Sequence, residues 1–121
     1  MLAPSEMAAF YPNLDILVIP SLNSTEAFGL VQIEAMMNGV PSISSDLPGV
    51  RRPVQRHGMG IVIPVGDSLA LADAVIEIAG HPGKYSKTDD NLRKIYSPDS
   101  VASEYEALFQ RLLADLNKPV N

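Results

Sequence analysis

Residues 15–45, DILVIPSLNSTEAFGLVQIEAMMNGVPSISS, read as a strand, a loop, a helix and a second strand. The run DILVI at 15–19 is nearly all apolar, as expected of a strand buried on both faces of a parallel sheet. A polar loop, 20–25, follows it, and then a helix over 28–38 that Gly39 and Pro41 stop. A short strand over 42–45 comes directly after this tight turn. Strand, helix and strand in that order imply a parallel α/β sheet with right-handed crossovers.

The same alternation continues outward. On the N-terminal side, residues 4–11 (PSEMAAFY) read as a short helix closed before Pro12. On the C-terminal side, 46–49 (DLPG) is turn chemistry. A short helix interrupted by Pro53 is expected within 49–57, and a third strand over 60–65 (GIVIPV). Ser68 is a good N-cap for an apolar-periodic helix over 69–79. Residues 89–96 read as helical, and a last helix runs from Ser97 or Asp99 to about Leu116. Its apolar positions Val101, Tyr105, Leu108, Leu112 and Leu116 fit one helical face. Residues 117–121 read as a loose tail. The fold class expected is a three-layer α/β arrangement with about three parallel strands and flanking helices.

Composition narrows the function classes. A chain of 121 residues fits one small domain or part of a larger one, and 46% apolar content suffices for a core. A formal net charge of -5 argues against nucleic acid as the main partner and against a polybasic attachment to anionic lipid. With no cysteine there is neither a disulfide nor a thiolate zinc site, which is compatible with the cytosol. His57 and His81 lie far apart and suggest no metal site. No segment is apolar over the roughly 20 residues that a bilayer span requires. No signal peptide is evident either, so a cytoplasmic location is expected. Met7, Met36, Met37 and Met59 read as core or cleft lining, and His81 as an exposed turn residue.

The chemistry is expected in residues 24–41, STEAFGLVQIEAMMNGVP, which join the first strand to its helix. Ligands of open parallel sheets bind outside the carboxyl ends of the strands, where such loops lie. The first N–H groups of a helix beginning near Phe28, Gly29 and Leu30 lack internal partners and favour anions, phosphate above all. Gly29 removes a Cβ where a phosphate would come close to the backbone. Glu34 projects between Leu30 and Val31, and only Gln32 is otherwise polar in the body of the helix. An all-round apolar helix is normally buried, so Glu34 is expected to be at least partly buried and to need a partner. The hydroxyl pair of a ribose would serve; so would Arg51, Arg52 or Arg56, and simple exposure at the cleft rim is the remaining alternative. Glu26 reads either as a solvated carboxylate favouring a helix N-terminus or as an acceptor for sugar hydroxyls. The basic group Arg51, Arg52, Arg56 and His57 reads as solvated surface or salt-bridge partners, with anion binding as the alternative.

Glu26 and Glu34 stand in the context P-S-x(4)-E-x-F-G-L-x-x-x-E-A-M-x-x-G-x-P. This resembles the E-x(7)-E signature of the retaining family 4 glycosyltransferases of the GT-B fold. The wider resemblance runs from about Ala3 to Leu113, to the second half of the C-terminal, donor-binding domain. It implies a partial Rossmann-like domain over 1–116. It also implies that Glu26, the catalytic candidate, contacts donor-sugar hydroxyls and that Glu34 binds the nucleotide ribose. The backbone around Phe28, Gly29 and Leu30 would face the diphosphate and the donor sugar. The expected reaction is transfer of a hexose from a nucleoside-diphosphate sugar to a sugar or lipid-linked acceptor, with retention of configuration. No cofactor and no metal requirement are implied.

Many members of that family carry Gly-Gly-x-x-Glu after the next strand, where this chain has Asp46-Leu47-Pro48-Gly49-Val50-Arg51-Arg52-Pro53. The resemblance further implies that an acceptor domain, and an arginine and a lysine that neutralise the diphosphate, lie outside these residues. Two expectations follow. The isolated chain should be inactive, because leaving-group stabilisation is mostly electrostatic. The strand at 15–19 should present an open edge, giving self-association. The longer protein is expected in the cytoplasm, with peripheral membrane attachment as an option. A non-catalytic sugar-nucleotide-binding or protein-interaction module that has kept the fold is the competing reading. A receiver-like regulator fits poorly, because neither its acidic cluster nor its lysine can be placed.

Overall fold

Three parallel strands, β1 (Leu17–Ile19), β2 (Ser42–Ser45) and β3 (Gly60–Ile63), form one open sheet in the order β1-β2-β3. The computed structural model describes residues 4–25, 28–88 and 90–116. Leu17 pairs with Ser42 and Ile19 with Ser44, while Ser42 pairs with Gly60 and Ser45 with Ile63. All four residues of the central strand β2 are buried. The third strand ends at Ile63 rather than at the predicted 65, since Pro64 has no N–H to continue a ladder. The first strand keeps three residues of the predicted five.

Alternation along β2 sends its side chains to two different layers. Ile43 joins Ile63, Ala74, Ile78 and Tyr85 in one apolar cluster. Its helical members come from α4 (Ser68–Gly80) and α5 (Pro82–Tyr85). Ser42 points the other way and donates from its Oγ to Oε1 of Gln32, on helix α2 (Leu30–Met36), at 3.2 Å. The sheet thus has a helix layer on each face, as expected. A second cluster, Tyr11, Ala35 and Val40 with Met7, Leu14 and Leu17, packs α2 against α1 (Pro4–Phe10) and the 3-10 turn Tyr11–Asn13. Met36 and Met59 are buried, and Met7 and Met37 half-buried.

Gly60 shows why β3 can begin where it does. Its φ is +142°, and a Cβ there would lie 1.7 Å from the Ser42 carbonyl oxygen. Only glycine lets the two strands approach so closely.

Several predicted boundaries shift for local reasons. Pro53 does not interrupt helix α3 (Arg52–His57) but sits in its first turn, where the missing N–H has no partner to lose. Asp67, not Ser68, caps α4, with its carboxylate accepting from Ala70 N at 2.9 Å. His81-Pro82-Gly83 opens the short helix α5 instead of a plain turn. Glu77 fastens α5 to α4 by accepting from Lys84 Nζ at 2.8 Å and Tyr85 Oη at 3.0 Å. Exposed His81 lies 3.2 Å from the same carboxylate. These contacts, Lys84 first, hold the Glu77 carboxyl below its ordinary pKa.

The chain divides into two compact units, Met1–Asp89 and Asp90–Asn121. The second holds α6 (Asp90–Ile95) and α7 (Pro98–Leu116). Ser97 Oγ accepts from Ser100 N at 3.1 Å, so serine rather than Asp99 starts α7. None of the α7 residues is buried, and its apolar positions from Val101 to Leu116 are exposed. The predicted tail 117–121 lies outside the described residues. Among the described residues no helix is long and apolar enough to cross a membrane.

Candidate functional site

The carboxyl end of β1 leads into the loop that the sequence marked for chemistry. Within it, Asn23 Oδ1 accepts from Thr25 N at 3.1 Å, a side-chain-closed turn. Glu26 lies outside the described residues. Phe28 is half-buried, Gly29 buried, and Leu30 68% exposed. Gly29 takes a left-handed conformation, φ 71° and ψ 65°, as the N-cap of α2. The helix therefore starts at Leu30, two residues later than predicted, and residues 37–39 form the turn that ends it. A Cβ on Gly29 would lie 2.8 Å from Gln32 Nε2 and 3.3 Å from Ile19 Cδ1, so the glycine also makes room for the side chain beneath it.

That side chain is the residue that sequence reading passed over. Gln32 is fully buried. Its Nε2 donates to Val50 O at 2.8 Å and to Phe28 O at 3.3 Å, while Ser42 Oγ donates to its Oε1. One amide thus joins the start of α2, the central strand and the turn after β2. The available signal was an uncharged amide on the helix face that the 3.6-residue period turns toward the sheet, since buried amides have partners.

Glu34 is exposed, which corrects the expectation of partial burial. Helix α2 is not apolar all round in its packing. Gln32, Ile33, Ala35 and Met36 face inward, while Leu30, Val31 and Glu34 turn outward. The partner of Glu34 is none of the arginines. Tyr11 donates from its hydroxyl to Glu34 Oε2. The Tyr11 ring is only 5% exposed. Burial pushes its phenol up to about 12, helped by the hydrogen bond to Glu34 and by the negative charge there.

The basic group behaves as salt-bridge material where a partner is seen. Arg51 Nη1 lies 2.7 Å from Asp46 Oδ1, closing the turn between β2 and α3. Arg52 and Arg56 are exposed, and His57 is half-buried. A small cleft of about 160 Å³ opens at the carboxyl ends of β2 and β3, between Ser45, Ile63 and Asp67. Phe28, Gly29, Leu30 and Glu34 do not line it. Among the described residues no three His, Asp or Glu side chains gather as a metal site.

Comparisons with known proteins agree on one family. Residues 2–81 match the family described as glycosyl transferases group 1. The phosphatidyl-myo-inositol mannosyltransferase of Mycobacterium leprae is 39% identical over 71 residues, 59% of this chain and 19% of that protein. A D-inositol 3-phosphate glycosyltransferase of Corynebacterium glutamicum is 38% identical over 117 residues, 94% of this chain and 28% of that protein. The sucrose-phosphate synthase of Thermosynechococcus elongatus superposes with a TM-score of 0.75 at 28% identity, over 95% of this chain and 29% of that one. The chain thus covers from 19% to 29% of the length of these proteins. Its open three-stranded parallel sheet with flanking helices is similar to the GT-B glycosyltransferase fold. By sequence and by fold, the chain belongs to the glycosyl transferases group 1 family.

Proposed function

We propose that these residues form part of the donor-binding half of a retaining glycosyltransferase that moves a hexose from a nucleoside-diphosphate sugar to a sugar or lipid-linked acceptor. The observation that carries this reading is the outward, tethered carboxylate of Glu34 on the helix that follows β1. An exposed carboxylate with a spare oxygen can accept both hydroxyls of a ribose. In the same reading Glu26 takes the donor-sugar hydroxyls, and the backbone of Phe28, Gly29 and Leu30 faces the diphosphate. The mannosyltransferase and inositol 3-phosphate glycosyltransferase names of the relatives support a hydroxyl-bearing acceptor. The acceptor is bound by a domain beyond these residues, and the longer protein works in the cytoplasm. The 121-residue chain by itself is inactive in transfer, because leaving-group stabilisation is mostly electrostatic and the family it resembles draws its diphosphate-neutralising arginine and lysine from another segment.

Calorimetric titration of the chain with UDP, GDP and ADP, alongside Glu34→Ala, tests the reading. Weak binding of one diphosphate, lost in the variant, is the expected result and names the donor base. Binding that the variant leaves unchanged, or none at all, rejects the half-site. Sugar transfer by the purified chain would reject its inactivity.

A further inference from the structure

We infer that Tyr11 is a positioning residue for the donor: its hydroxyl presets the Glu34 carboxylate to receive the ribose. The inference rests on the reading of Glu34 as the ribose contact. A glutamate on the outward side of a helix samples several rotamers, and ordering it on binding costs affinity. Here the ordering partner comes from outside the helix, 23 residues earlier in the chain. Tyr11 is itself rigidly placed. Its ring packs in the cluster with Ala35 and Val40, and its carbonyl accepts from Leu14 N at 3.0 Å. A phenol has one O–H to give, and at neutral pH it keeps that proton, so it always faces the carboxylate as a donor. Only Oε2 is engaged; among the described residues nothing donates to Oε1. The carboxylate is therefore oriented while retaining acceptor capacity for a vicinal diol.

A purely structural role for the contact, tying α1 and its 3-10 turn to α2, makes a different prediction, and the ribose itself separates the two. The chain is titrated with whichever of UDP, GDP and ADP it binds and with the 2′,3′-dideoxy form of the same nucleotide. Wild type prefers the ribo form, and Glu34→Ala abolishes that preference. Tyr11→Phe should reduce the preference by about fivefold to tenfold while leaving dideoxy affinity unchanged. In the Glu34→Ala background it should change nothing further. Tyr11→Leu serves if the phenylalanine variant does not fold. If Tyr11→Phe keeps the full ribose preference, or weakens both nucleotides equally, the inference fails while the reading of Glu34 stands. If Glu34→Ala keeps the preference, or the wild-type chain binds no diphosphate, the reading itself fails and takes the inference with it.

Discussion

Gln32 Nε2 donates to the carbonyl of Val50 at 2.8 Å, spanning 18 residues of sequence from inside a fully buried pocket. The same amide reaches Phe28 O and accepts from Ser42 Oγ. Replacing it with leucine keeps the volume but takes the donor from the buried Val50 carbonyl and the acceptor from the buried Ser42 hydroxyl, which costs about 1–3 kcal/mol for each group. Gln32→Leu should therefore destabilise the fold by about 3 kcal/mol, read as a lower urea midpoint with an unchanged slope. A loss below about 1 kcal/mol would show that water or a neighbour replaces the amide.

Gly60→Ala should be worse. The new Cβ would sit 1.7 Å from Ser42 O, backbone that cannot move without breaking the β2–β3 pairing. A destabilisation above about 4 kcal/mol, or failure to fold, is expected from circular dichroism and thermal unfolding. Gly83→Ala is the matched control, since nothing lies within 4 Å of its added Cβ.

Tyr11 gives the stability an alkaline limit. Its phenol is raised from 10.0 to about 12, by burial first and then by Glu34. The folded state thus holds the proton more tightly than the unfolded chain does. This contribution is complete below pH 10.0 and is lost as pH rises toward 12. Urea midpoints measured through that window should fall for wild type and fall less for Tyr11→Phe. Parallel curves for the two proteins would remove Tyr11 as the cause.

β1 is one of the two edge strands of the described sheet, and its edge is where a second chain is expected to pair. Among the described strands β1 pairs only with β2, and Val18 on it is 36% exposed. Unpaired edge N–H and C=O groups template association. Light scattering should show a mass that grows with concentration, and Val18→Lys should reduce it. A strictly monomeric wild type at high concentration would refute edge pairing.

What was legible in the sequence was local. The bounds of β2 coincide with the predicted 42–45, because an apolar-tolerant run lies between Pro41 and the turn residues Asp46 and Leu47. The alternation of elements and the parallel sheet followed from hydrophobic period and from stops such as Gly39 and Pro41. The family, too, was readable, since Glu26, Phe28-Gly29-Leu30, Glu34 and Gly39 stand at fixed spacing within one stretch of chain. Helix termini were less secure, because Asp67 and Ser68 both suit an N-cap and only the completed turn chose Asp67.

Which face of α2 is covered was a tertiary decision. Its outward positions Leu30 and Val31 are as apolar as its inward ones, so composition could not mark Glu34 as exposed. The same holds for partners. Tyr11 meets Glu34 only because the 3-10 turn packs against α2, and Gln32 meets Val50 only because the turn after β2 folds over that helix. Neighbouring positions along the chain encode the order of elements, the family and the candidate residues. The tertiary structure alone decided burial and hydrogen-bond partners, since these depend on distant segments meeting in space.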